Sequence, residues 1–119
     1  MNEQTIAKIS EHYEHAKRKH PYFCDGLRPS DVDTGNKMSA RINERMRSHN
    51  MMKIAKDKIY TDGCLGVRLW DTVLKSELWE IRDAINNDDT AHAVEECYDA
   101  IAVLLRIKDV LEGRQKLGK

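Results

Sequence analysis

The chain has 119 residues with 20 basic and 20 acidic side chains, and its formal net charge is zero. This length predicts one domain over residues 1–119 that can bury a core of its own. The balanced charge argues against a nucleic-acid coat or a membrane-surface protein, so we expect neither nucleic acid nor a membrane as a partner. Few aromatic residues and only two prolines favour an all-α fold.

The cysteines and the N-terminal segment indicate in which cellular compartment the protein is expected. Cys24, Cys64 and Cys97 are odd in number and too far apart for a C-x-x-C pair. The N-terminal segment is charged from its start, so we expect no secretory leader. Both features predict a reduced, cytoplasmic location. The longest apolar run, residues 100–105, is far too short to span a bilayer.

Two helices are predicted in the first half of the chain. A polar helix over residues 5–19 has Ile6 and Ile9 on one face. Residues 20–36 hold both prolines and predict a long irregular loop, which often lines or covers a site. A helix with a weak apolar stripe follows over residues 37–58, and the stretch "YTDGCLG" predicts a break after it.

Two longer helices are predicted in the second half. The third runs over residues 65–85, with a core stripe of Trp70, Leu74, Leu78, Ile81 and Ile85. After a turn at 86–89, a fourth helix runs to residue 112, with Gly113 as its stop. Two long helices with so short a connection pack antiparallel, so the pattern predicts a bundle of about four helices.

The charges fall into two segments of opposite sign. Residues 37–58 hold seven basic residues and two acids, a net charge of +5, whereas residues 76–112 hold ten acids and three basic residues, a net charge of −7. The two segments could neutralise each other when they pack. They could also form an acidic site that needs cations, beside a basic element that meets phosphate.

Four of these acids stand at helical spacing. Glu77 and Glu80 flank the core stripe of the third predicted helix on one side. Glu96 and Asp99 lie in line with an apolar stripe of the fourth helix, which is apolar on two faces. We therefore expect both faces of that helix to meet protein, and Trp70 and Tyr98 to lie in the core.

Buried carboxylates need compensation. They can keep protons, pair with Arg or Lys, or bind cations. Hard divalent cations prefer oxygen ligands, whereas the scattered cysteines and histidines do not form a zinc set. The residues therefore predict a Mg2+ or Mn2+ site at a helix–helix cleft, and ion pairing with the basic second helix stays open as the alternative.

The spacing of the four acids resembles a known family signature. Glu-x-x-Glu, a spacer of 15 residues and Glu-x-x-Asp are similar to the pattern of the all-α nucleoside triphosphate pyrophosphohydrolases. These are the MazG-like proteins and their relatives, the dimeric dUTPases and dCTP pyrophosphatases. The match includes the doubled acid "EE" and the apolar run "AIAVLL", and it covers residues 65–112. The upstream "KHPYF" is similar to small phage-encoded members.

The resemblance implies a reaction and an assembly. A nucleoside triphosphate, often a deoxynucleotide, would be hydrolysed to the monophosphate and pyrophosphate. Glu77, Glu80, Glu96 and Asp99 would hold Mg2+, and one glutamate would take the proton of the attacking water. The bundle would be completed in a homo-dimer or tetramer, which the doubly apolar fourth helix fits.

Three further residues are candidates for contacts with the substrate, and two other functions are compatible with the helical pattern. Lys75 and Arg82 are candidate phosphate contacts, and Trp79 is a candidate for stacking on the base. A non-catalytic helical interaction module that keeps the fold is the alternative function. A ferritin-like di-metal protein would need Glu-x-x-His pairs on two helices, and the nearest match, Asp89 with His92, falls at a turn.

Overall fold

The computed structural model describes residues 1–24, 26–32 and 35–118, with Lys116 described by its backbone only. The secondary structure of this part of the chain is helical: α1 (Glu3–Lys19), α2 (Pro29–Val32), α3 (Lys37–Cys64), α4 (Trp70–Asn86) and α5 (Thr90–Lys116). The all-α prediction is confirmed. None of the helices in these ranges combines the length and apolarity that a membrane crossing requires.

The helix boundaries differ from the predicted ones at several points. The predicted loop at 20–36 contains the short helix α2. The second predicted helix continues to Cys64, because the first residue that leaves the right-handed helical region is Gly66, with a φ of +75°. As a result α4 begins at Trp70, five residues later than predicted. Gly113 does not stop α5, which continues to Lys116.

A tight turn joins α4 to α5. Asp88 lies in the left-handed region with a φ of 57°, and Asp89 N donates to Ala84 O at 2.9 Å. This is the hydrogen-bond pattern that closes many helix C-termini. Asp89 then caps α5, because its Oδ1 accepts from His92 N at 3.2 Å. The two helices form an antiparallel hairpin, as the sequence predicts.

Helix α4 lies between α3 and α5. It packs against both, α2 packs on α3, and α1 packs on no other described helix. Two hydrogen bonds join α3 to α4: Ser48 Oγ donates to Asp83 Oδ1 at 2.9 Å, and Asn86 Nδ2 donates to Glu44 O at 3.1 Å. These bonds fix the register of α3 on α4.

The apolar core of the described chain is small. Its buried apolar residues are Ala84, Ala93 and Ala100. Trp70 is 62% exposed and Tyr98 is 64% exposed, so the prediction that both lie in the core is wrong for the single chain. The physical reason is that α4 turns small side chains such as Thr72 toward α3, and the large apolar residues of the predicted stripe lie further round the helix.

The single chain is open. Its radius of gyration is 17.4 Å, whereas a compact chain of this length has about 13–14 Å. One face of α5 exposes Val94, Tyr98 and Ile101, and Ile6 and Ile9 on α1 are likewise exposed. These side chains leave apolar surface uncovered in the single chain. Only one of the two apolar faces of α5 meets protein within the chain.

Candidate functional site

The four acids lie together where α4 faces α5. One carboxylate oxygen from each of Glu77, Glu96 and Asp99 lies within 4.8 Å of the other two. Glu80 adjoins this group, because its carboxyl lies close enough to that of Glu96 to raise the pKa of Glu96. The antiparallel hairpin brings the acids of α4 and the acids of α5 to the same level along the helix axes. Residues 16 or more apart in sequence therefore become neighbours.

The acid cluster, as we call these four residues, is buried on one side and open on the other. Glu96 is only 8% exposed, Glu77 is half-buried and Asp99 is exposed. Oε2 of Glu77 and Oε2 of Glu96 are buried, and no hydrogen-bond donor in the described chain faces them. A buried carboxylate oxygen without a donor is unfavourable unless a proton or a cation meets it.

The proximity of the acids changes their protonation. A hydrogen bond with Glu80, burial, and the charges of the other acids raise the pKa of Glu96 from its ordinary 4.5 to about 7. Burial, followed by the charges of Glu80 and Asp99, also raises the pKa of Glu77. Both carboxyls therefore hold protons at a pH where isolated ones would be ionised.

Two nitrogen groups contact the acid cluster. Lys56 Nζ on α3 lies 3.4 Å from Glu80 Oε1, and the lysine side chain is 55% exposed. His92 Nε2 lies 3.3 Å from Glu96 Oε1 on the same helix. Among the described residues, Lys56 is the one basic residue of the segment 37–58 that pairs with an acid of the segment 76–112. Mutual neutralisation of the two segments therefore reduces to one ion pair.

The three predicted substrate contacts lie elsewhere on α4. Lys75, Trp79 and Arg82 are about 140° to 200° around the helix axis from Glu77. Trp79 instead faces α3, where the guanidinium carbon of Arg47 lies 5.9 Å from its ring centre. Their role as triphosphate contacts stays a prediction, and a nucleotide bound at the acids of the same chain would have to reach around α4 to touch them.

Sequence patterns did not single out Lys56 or Arg47. Both stand in a helix whose apolar stripe is weak, and only the register of α3 on α4 directs Lys56 to the acids and Arg47 to Trp79. The contact of His92 with Glu96 does follow from sequence, because residues four apart on a helix are neighbours.

Comparison with protein-family models, with curated proteins and with solved structures finds no match to this chain.

Proposed function

We propose that this chain is a Mg2+-dependent nucleoside triphosphate pyrophosphohydrolase related to the MazG-like proteins. It would convert a (deoxy)nucleoside triphosphate to the monophosphate and pyrophosphate, as a nucleotide-pool enzyme of the cytoplasm. The single observation that carries the proposal is the acid cluster with its two buried, donor-free oxygens, Glu77 Oε2 and Glu96 Oε2. Acids collected in this way are stabilised by a divalent cation.

The donor set fits a hard cation. All four candidate ligands are carboxylates, and ligand oxygens on one six-coordinate Mg2+ lie about 3 to 4 Å apart. The oxygens of Glu77, Glu96 and Asp99 lie within 4.8 Å of one another, which is close to that spacing. Mn2+ accepts the same oxygen ligands, whereas zinc favours sulfur and nitrogen donors.

The four acids would have different roles in the reaction. When bound, Mg2+ would neutralise the triphosphate and lower the pKa of a bound water. Glu77, Glu96 and Asp99 would hold the ion, and the exposed Asp99 leaves its side open for the phosphates. Glu80 lies outside the compact group of three and is our candidate for the base that takes the proton of the attacking water. Lys56 orients the Glu80 carboxylate through their ion pair.

A panel of nucleoside and deoxynucleoside triphosphates tests the reaction. With Mg2+ present, we expect at least one triphosphate to yield pyrophosphate and the monophosphate in equal amounts, and chelation of the metal should stop the release. Orthophosphate and a diphosphate as products would contradict the proposed cleavage between the α and β phosphates. No turnover of any member of the panel would contradict the enzyme.

The proposal includes a homo-dimer or tetramer, and the exposed apolar face of α5 supports it. Ile101 is 47% exposed and Tyr98 is 64% exposed on that face. Ile101→Glu would force a charge into the interface, which costs several kcal/mol. We expect light scattering with size exclusion to show an oligomer for the wild type and a monomer for the variant.

Arg106→Glu is the matched control for that substitution. Arg106 is exposed on another face of α5 and has no ion pair among the described residues, so the oligomer should persist. A wild-type protein that is monomeric at micromolar concentrations would contradict this part of the proposal.

Two observations favour the non-catalytic alternative. The ion pair of Lys56 with Glu80 already occupies one of the four acids, and the apolar face of α1 packs on no other described helix. A helical interaction module would need no metal. The triphosphate panel distinguishes the two, since only the enzyme releases pyrophosphate.

A further inference from the structure

A cavity lies on the side of α4 that faces away from the acid cluster. Its volume is about 270 Å³, and Leu27 and Pro29 form one wall while Trp79, Arg47 and Arg82 form another. Small-molecule sites begin at about 300 Å³, so the space suits a ligand at the small end of that range. None of the four acids lines it.

Two guanidinium groups share one aromatic ring in this cavity. The guanidinium carbon of Arg82 lies 4.8 Å from the Trp79 ring centre, and that of Arg47 lies 5.9 Å from it. Both distances are within the range of a cation–π contact. Among the described residues neither arginine forms an ion pair with an acid, so both guanidinium groups lie near one ring with no direct acidic partner.

The other charged or polar side chains of the lining are already engaged. Both carboxylate oxygens of Glu44 accept from Ser30, from its N at 3.0 Å and from its Oγ at 2.9 Å. The hydroxyl of Ser48 donates to Asp83 at 2.9 Å. Glu44 keeps its negative charge, but both of its oxygens are held by Ser30 on α2. The charged side chains of the lining that still have donors free for a ligand are Arg47 and Arg82.

We propose that this cavity binds a small phosphomonoester. A phosphate group offers three strong acceptor oxygens, enough to engage two guanidinium groups, whereas a carboxylate offers two. Planar guanidinium groups bind phosphate oxygens in pairs, which fixes the anion between Arg47 and Arg82. The organic part of the ligand would lie against Leu27, Pro29 and the Trp79 ring. The site is distinct from the acid cluster and does not depend on the proposed hydrolysis.

Tryptophan fluorescence can test the site directly. The chain has two tryptophans, and Trp70 is 62% exposed, so Trp70→Phe leaves Trp79 as a single reporter. This variant is titrated with inorganic phosphate and with ribose 5-phosphate at constant ionic strength, with a chelator present. We expect a saturable change in Trp79 emission, because the anion draws the guanidinium groups away from the ring, with tighter binding for the sugar phosphate.

Variants separate the cavity from the acid cluster. We expect binding to weaken at least about tenfold in each of Arg47→Ala, Arg82→Ala and Arg82→Lys. The alanine variants lose a charge-assisted hydrogen bond, and the lysine variant keeps the charge but loses the planar guanidinium geometry. Arg106→Ala, which removes an exposed arginine elsewhere, should leave the affinity unchanged. Circular dichroism checks that each variant is folded.

Three results would overturn the assignment. They are a change in emission that chloride produces equally, binding that survives in the folded Arg47 and Arg82 variants, and binding that is lost in Glu96→Gln, Asp99→Asn. The last would show that phosphate binding depends on the acid cluster and not on the cavity alone. A loss of triphosphate hydrolysis without a loss of this binding would overturn only the proposed enzyme.

Discussion

Replacing Glu96 with Gln and Asp99 with Asn in one chain will abolish Mg2+-dependent pyrophosphate release. Both residues contribute an oxygen to the compact group of three acids, and Glu96 is its buried member. Loss of two metal ligands removes several kcal/mol of transition-state stabilisation, so we expect kcat to fall about 10³-fold or more. The substitutions keep the side-chain shape, so the helix content measured by circular dichroism should be unchanged.

Glu95→Gln is the matched control for this double variant. Glu95 is the neighbouring acid on α5, and its side chain is exposed and lies outside the acid cluster. It should keep the wild-type rate. If kcat fell equally in the control and in the double variant, the overall negative charge of α5, rather than the acid cluster, would support turnover.

Metal-free protein will lose thermal stability as the pH rises from 5 toward 8. The pKa of Glu96 is about 7 in the folded chain against an ordinary value of 4.5. Below the lower value both states hold the proton and the stabilisation is complete. Between the two values the unfolded chain releases the proton while the folded chain keeps it, so the free energy of unfolding falls as the pH rises. Above the folded pKa the loss is complete.

The size of this loss is on the order of 1 to 3 kcal/mol. For a domain of this size that corresponds to a fall in melting temperature of about 5 °C or more. Glu77 acts in the same direction, because its pKa is raised as well. Differential scanning calorimetry in a chelator, at steps across this pH range, measures the effect.

Two comparisons make the pH experiment specific. Glu96→Gln should flatten the profile, because the amide does not ionise, and Glu95→Gln should keep it. Millimolar Mg2+ should raise the melting temperature at pH 8 more than at pH 5, because the ion binds the ionised cluster. A wild-type profile that is level or rises with pH would contradict the geometry of the cluster.

The sequence predicted the elements of the site better than it predicted the packing. Helical spacing and a short turn are local properties, and together they were sufficient to bring Glu77 and Glu80 opposite Glu96 and Asp99. Burial is not local. On α4 the large residues at heptad-like spacing pointed to a core stripe, yet Trp70 is exposed in the single chain and small side chains face α3.

The same limit explains what was missed around the site. The pairing of Lys56 with Glu80, and of Arg47 with Trp79, depends on how α3 lies along α4. That register is fixed by hydrogen bonds such as Ser48 to Asp83, which link residues 35 apart in sequence. The periodicity of a single helix cannot predict a contact between two residues on different helices. The predicted break at "YTDGCLG" includes Gly66, whose positive φ marks the end of α3, but the helix itself continues to Cys64 rather than ending at residue 58.

The central claim is that the acid cluster is a divalent-cation site. Isothermal titration of the metal-free protein with Mn2+ at pH 7.5, without nucleotide, measures this most directly. We expect saturable binding by the wild type and by Glu95→Gln, release of protons from the cluster on binding, and no saturable binding by the Glu96→Gln, Asp99→Asn variant. Binding that is equal in all three proteins, or absent from the wild type, would contradict the account.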